Sequence, residues 1–374
     1  MQVIARYGWV AIILLLVSCK KEIEKIVVSD RDREYSWVLA EPFVGLYNIV
    51  LGIGKGTDRL YLQQPGAFTT VMLNQSRPRF REGPLVFVPT DVNVRLPIGP
   101  DFFVTYGDTT VTIIPTQSPV SSQSYHTIRL KRLDQRAQLV PKGNRTYFKM
   151  GAINANRYLL FTYLTDSFFL DSQMHLVLAQ VPTYDGYGIP SRPMLTPRVI
   201  TIPVVGLPIY PSYPLLITAI DNYFLVDCGS QGVYRVEQNG TYRQVLNQVH
   251  RVETFYKWQG RVYAHTANDQ LGISNDDGLT WQFASGIPSL LRNNTMHPVG
   301  DSLVGIRHGA GNDYLFTLKM SNTGTGYRAR LLKRDGLEKL ELNSLETWRD
   351  TVYLATSGGL FKKSVKTFFE DQPK

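Results

Sequence analysis

Apolar positions along this chain come in short runs. From about Glu34 onward, Tyr, Phe, Val, Ile, Leu and Thr dominate these runs, and Gly, Pro, Asn and Asp punctuate them. That pattern predicts β-strands joined by tight turns, and almost no segment keeps the period of an amphipathic helix. One stretch differs in kind. Residues 9–17 (WVAIILLLV) are nine consecutive apolar side chains, too short a run to cross a bilayer as a helix.

The strand pattern repeats. Residues 252–283 read as four strands: VETFYKW, a turn at Gln259-Gly260, RVYAHTA, a loop, QLGISND, a turn at Asp277-Gly278, and LTWQF. Residues 345–370 follow the same order, with LETW, a turn at Arg349-Asp350, TVYLATS, Gly358-Gly359, LFKKS and KTFFE as the expected fourth strand. Residues 215–245 and 301–332 are looser copies, and paired-strand patterns recur at 45–73, 102–115 and 156–181. A module of four antiparallel strands at this interval is what a propeller blade looks like. Residues 34–374, divided by about 48 residues per blade, give seven. The expected fold is therefore all-β, a β-propeller of four-stranded antiparallel blades, with six or eight blades as alternatives. Prolines crowd residues 182–214, which read as an extended excursion between blades, because proline cannot donate to a central ladder.

Composition narrows the setting. The 374 residues carry 40 Lys+Arg against 31 Asp+Glu, a formal charge of +9. Arg6 precedes the apolar stretch, which ends in Leu16-Val17-Ser18-Cys19 and resembles the lipobox of bacterial lipoproteins. The resemblance implies that residues 1–18 are a cleaved signal peptide and that Cys19 carries the lipid anchor, with residues 19–33 (CKKEIEKIVVSDRDR) as a tether. Stable anchoring takes more than one acyl chain. Loss of Arg6 with the leader leaves +8. Lys20, not Asp, follows the cysteine, and Lys-rich, acid-containing starts of this kind are similar to those of outer-membrane and surface lipoproteins in Bacteroidota. The expected location is the outer membrane, with the cell surface preferred over the periplasmic face. Outside the cytoplasm, nucleic acid is not an expected partner, and the charge points to an anionic membrane surface, an acidic glycan or an acidic protein. Cys228, the second of two cysteines, has no partner for an intrachain disulfide once Cys19 is lipidated and sits in an apolar run, which predicts a buried, inert thiol.

Residues 274–281 (SNDDGLTW) match the pattern Ser/Thr-x-Asp-x-Gly-x-Thr-Trp/Phe at Ser274, Asp276, Gly278, Thr280 and Trp281. On these residues the chain resembles the Asp-box (BNR, sialidase-like) β-propellers. Elementary chemistry accounts for the box without a ligand. Ser274 and Asp276 can accept hydrogen bonds from the hairpin backbone, Gly278 takes the positive φ of the turn, and Trp281 can bury its ring between blades. The resemblance places the box between third and fourth strands, on the face opposite any ligand rim.

No catalytic constellation emerges. Sialidases of this fold carry an early Phe/Tyr-Arg-Ile-Pro motif that is missing here; the nearest strings are 126–130 (HTIRL) and 188–192 (GIPSR). A Gly-rich phosphate loop, a His-Glu-x-x-His zinc spacing and a Gly-x-Ser-x-Gly elbow are also missing. The six histidines stand singly, which argues against a metal centre, and no cofactor is expected. A ligand rim, if present, falls on the loops between second and third strands, at His265, Asp269, His308, Asp313, Asp166 and Ser357. Tyr256, Trp258 and Trp348 read as core aromatics. The expectation is a non-catalytic scaffold subunit docked on an outer-membrane protein complex. The alternative is a glycan-binding or carbohydrate-active, sialidase-like surface lipoprotein.

Overall fold

The computed structural model describes residues 36–40, 49–56, 58–72, 80–82, 95–116, 125–140, 151–165, 173–185, 189–203, 216–247, 251–284, 294–308, 313–320 and 327–369. The expected signal peptide (1–18), the expected tether (19–33) with Cys19, and Asp166 lie outside these residues. Seven antiparallel sheets stand in a ring, a seven-bladed β-propeller. First strands of successive blades touch around the hub from blade three through blade seven and on to blade one.

Blade one is built from Gly52–Lys55, Arg59–Gln64, Ala67–Met72 and Phe80–Glu82. Blade two holds Phe102–Tyr106, Thr110–Pro115 and His126–Arg129. Its innermost position is reduced to one bridge, Ile98 to Phe103. Blade three comprises Gly151–Ile153, Tyr158–Thr165, Gln173–Gln180 and Arg198–Pro203, and Ala137–Leu139 pairs with the far end of its second strand. Blades four (Leu216–Ile220, Tyr223–Asp227, Val233–Val236, Tyr242–Leu246), five (Val252–Trp258, Arg261–Thr266, Leu271–Ser274, Gln282–Ala284) and six (Asn294–Val299, Ser302–Arg307, Tyr314–Met320, Tyr327–Leu331) are meanders in chain order.

Blade seven departs from the sequence expectation. Leu342–Trp348, Thr351–Thr356 and Gly359–Ser364 are its inner three strands, and the outer one is Val38–Leu39 from the other end of the chain. Val38 pairs with Lys362 and Leu39 with Phe361. The expected fourth strand, 366–370, is instead preceded and partly replaced by a short helix, Val365–Phe368, capped by the Ser364 hydroxyl. Packing explains the exchange. Trp37 is buried, its ring edge-on to Phe368 at 5.8 Å, and its indole N–H donates to Lys333 O at 3.3 Å. The helix thus supplies the floor on which Trp37 seats the closing strand.

A second correction concerns the proline-rich stretch. Its part up to residue 197 is the connection between third and fourth strands within blade three, residues 204–214 lie outside the described residues, and Arg198–Pro203 is that fourth strand. Its β-branched core (Val199, Ile200, Thr201, Ile202) forms an outer edge strand, where a terminal Pro203 removes no inner ladder bond.

Six apolar clusters fill the gaps between neighbouring blades. Second strands are covered on both faces, so Tyr223–Asp227 and Phe102–Tyr106 are buried at every position and read as continuous apolar runs rather than alternating ones. Close approach is built in at Gly305, where a Cβ would lie 2.0 Å from the Phe316 ring.

Candidate functional site

Antiparallel topology sends the loop between second and third strands of every blade to one end of the ring and the 274–281 hairpin of blade five to the other. At the first end, polar side chains reach from one blade to the next. Asp227, closing the second strand of blade four, accepts from Gly229 N through Oδ1 and from Val252 N, the first residue of blade five, through Oδ2, both at 3.1 Å. Asp313, just before the third strand of blade six, accepts from Leu342 N, the first residue of blade seven, at 2.6 Å. In blade one, Gln63 Oε1 accepts from Leu96 N on the approach to blade two at 2.9 Å. The physical cause is common to all three. An N–H at the inner edge of the next blade is buried, and a neighbouring acceptor satisfies it.

Burial has an electrostatic consequence at Asp227. It is 1% exposed, and its removal from water pushes the carboxyl up to about 7, against the opposing pull of the two backbone donors and of Arg251. Burial likewise lowers Arg251, with Asp227 and Glu253 opposing. Arg95 Nη2 donates to Asn343 Oδ1 at 2.9 Å, and Asn343 Nδ2 donates to Val50 O at 2.7 Å. These bonds join the approaches to blades two, seven and one.

The sequence-predicted rim residues fall at this end. His265, next to last in the second strand of blade five, is buried, with Nδ1 3.9 Å from Glu253 Oε2. His308 follows the second strand of blade six, buried, with Nδ1 3.7 Å from Asp313 Oδ2. Asp269 holds a positive φ of 62° in the hairpin where Thr266 Oγ1 accepts from Gln270 N. Ser357 Oγ accepts from Glu341 N at 3.0 Å. Of the set, His308 and Asp313 approach each other across the start of the third strand of blade six. Asp227, Gln63, Arg95 and Asn343 escaped sequence reasoning, since each partner lies on another blade and no local spacing signals it.

At the opposite end the hairpin of residues 274–281 closes on itself. Asp276 Oδ1 accepts from Ser274 Oγ at 2.7 Å, Leu279 N at 3.2 Å and Thr280 N at 2.9 Å, while Oδ2 accepts from Thr280 Oγ1 at 2.6 Å. The Thr280 hydroxyl and N–H foremost hold the Asp276 carboxyl well below the usual carboxylate range. Gly278 takes a φ of 79° and donates to Ser274 Oγ. Trp281 is partly buried, 6.2 Å from Phe255. The hairpin also joins blades: Lys257 Nζ bridges Asp277 at 2.7 Å and Asp221 of blade four at 2.5 Å, and Arg235 of blade four donates to Asp277 O.

Cys228 is buried, its thiol 3.9 Å from Met174 Sδ and raised well above the ordinary value by burial. Among the described residues, no group of three or more His, Cys, Asp or Glu could hold a metal ion, and no helix is long and apolar enough to cross a membrane.

No protein-family model matches the chain, and no curated protein matches it. Solved structures do. Two structures of the extracellular domain of BT4673 from B. thetaiotaomicron align over 88% of this chain and 40% of theirs, at TM-score 0.50, with 13% and 12% identity. BamB from Moraxella catarrhalis aligns over 84% of this chain and 85% of its own, with a TM-score of 0.44 and 11% identity. The chain thus spans well under half of the BT4673 domain. At such identities the likeness is one of fold, and the fold it shows is the β-propeller.

Proposed function

We propose that this chain is a lipid-anchored, non-catalytic scaffold of the outer membrane, a propeller of the Asp-box type tethered through Cys19 and docked on a membrane protein complex. The observation that carries this is the employment of the polar side chains at the rim. Asp313 and Asp227 each give one oxygen to the leading N–H of the next blade, Ser357 caps Glu341 N, and His265 and His308 are buried. Groups committed in this way hold blades together and present little to a sugar or a scissile bond. A rigid ring with a tether leaves blade flanks and turns as the natural docking surfaces.

The test is affinity purification of the tagged full chain from detergent-solubilised envelope. A stoichiometric integral membrane partner is the expected result. Recovery of the chain alone, together with binding or hydrolysis on a glycan panel, would replace the scaffold with the glycan reading. For the anchor, Cys19→Ala should move the chain out of the membrane fraction, and unchanged partitioning would refute it.

A further inference from the structure

We propose that the flank of blades six and seven lies against an anionic bilayer surface, the phosphates of the membrane in which the anchor sits. The starting point is a cross-strand pair that folding alone would not choose. Lys319 on the third strand of blade six stands directly opposite Arg328 on the fourth, and like charges in that position repel. Arg330, two residues along the same strand, shares the face of Arg328. Its Nη2 donates to Phe369 O, so this face turns toward blade seven. Just before that carbonyl, the helix Val365–Phe368 adds the exposed Lys366. Lys319, Arg328 and Arg330 are also exposed, and neither strand of the blade-six pair contains an acidic residue. The nearby Asp335 is buried and engaged by Ser36 and Lys333.

Two further observations select a membrane as the occupant. Leu39 on the adjoining outer strand is 44% exposed and stands opposite Phe361, which packs in the cluster between blades six and seven, and an apolar side chain beside cations suits the boundary between headgroups and acyl chains. The chain leading back to Cys19 also enters the ring here. Ser36 is bound to Asp335 and to Lys363, and Trp37 is seated on Phe368 and Lys333 O. The sixteen residues between Cys19 and Ser36 span at most about 60 Å, so a lipid on Cys19 puts the bilayer within that reach of the point where the chain enters this flank. In this respect the inference rests on the anchor reading above. Each cation held at an anionic surface strengthens the association about fivefold, and three of them about a hundredfold.

The experiment uses the full chain purified from its membrane and mixed with two kinds of vesicle, phosphatidylcholine alone and phosphatidylcholine with about one-third phosphatidylglycerol. Flotation reads binding, and a water-soluble acylating reagent with peptide mass spectrometry reads lysine accessibility. On anionic vesicles at low salt, Lys319 and Lys366 should label at least fivefold more slowly than on neutral ones and recover at high salt. Lys131, exposed on blade two, serves as the reference and should not change. In a Lys319→Gln, Arg328→Gln, Arg330→Gln chain, Lys366 should label equally on both. Flotation with both vesicles and equal labelling of wild-type Lys319 and Lys366 would overturn the flank and leave the anchor standing. Flotation with anionic vesicles alone, with both lysines protected, would uphold the flank and sink the anchor. Flotation with neither would overturn both.

Discussion

Asp227 makes the stability of the ring sensitive to pH, with a sign set by its burial. Its folded carboxyl titrates at about 7, while an unfolded aspartate titrates at about 3.9. Between these values the folded chain keeps a proton that the unfolded chain has released, so stability falls as pH rises, and the loss is complete only above about 7. At about 1.36 kcal/mol per unit, the part of this loss between pH 5 and pH 8 is about 2.5 kcal/mol. Asp227→Asn keeps the size and one acceptor oxygen for Gly229 N or Val252 N but carries no such titration. Urea unfolding of the full chain and of the variant, followed by tryptophan fluorescence across that range, gives the difference between them. The variant should gain about 2.5 kcal/mol on the wild type from pH 5 to pH 8. Two curves that stay parallel would show that Asp227 is ionised in the folded ring and refute the account of the hub.

Three further outcomes follow from packing. Trp37→Ala should destabilise the chain by about 3–5 kcal/mol, the usual cost of emptying a large aromatic site, whereas Val38→Ser, one residue on and 54% exposed, should stay within about 0.5 kcal/mol; urea midpoints decide. Gly305→Ala drives a methyl to 2.0 Å from the fully buried Phe316 ring and should cost about 1–3 kcal/mol through overpacking, which thermal unfolding would read. The Cys228 thiol, buried and raised, should react with an alkylating reagent at least roughly tenfold more slowly in the native chain than in urea, and equal rates would mean that it is accessible.

Much of the ring was legible in the sequence, and the parts that were not share a cause. Blade five could be read almost residue by residue, since Gln259-Gly260 and Asp277-Gly278 are turn chemistry between alternating strands. The closing strand left no such mark. Val38–Leu39 is two residues long, too short for a period, and its partner lies at the far end of the chain. Arg198–Pro203 was hidden for a different reason, its β-branched run being framed by prolines that an outer edge tolerates and a central strand would not. The candidate rim was placed at one end of the ring from blade order alone, but burial of His265 and His308 depends on how the blades crowd the hub. Likewise the acceptor role of Asp227 or Gln63 depends on an N–H of the next blade, 25 or 33 residues onward, and pattern within one blade carries no trace of it.

The ring and its inter-blade acceptors depend on closure by the amino-terminal strand. Leu39 and Phe361 face each other across that seam, and opposed residues of an antiparallel pair lie about 4.5–5.5 Å apart at Cα, within reach of a disulfide. In a Leu39→Cys, Phe361→Cys chain under mild oxidation, peptide mapping should find residue 39 joined to residue 361 within a single monomeric chain. Thiols that stay free in the folded chain, or bridges that form only between two chains, would contradict it.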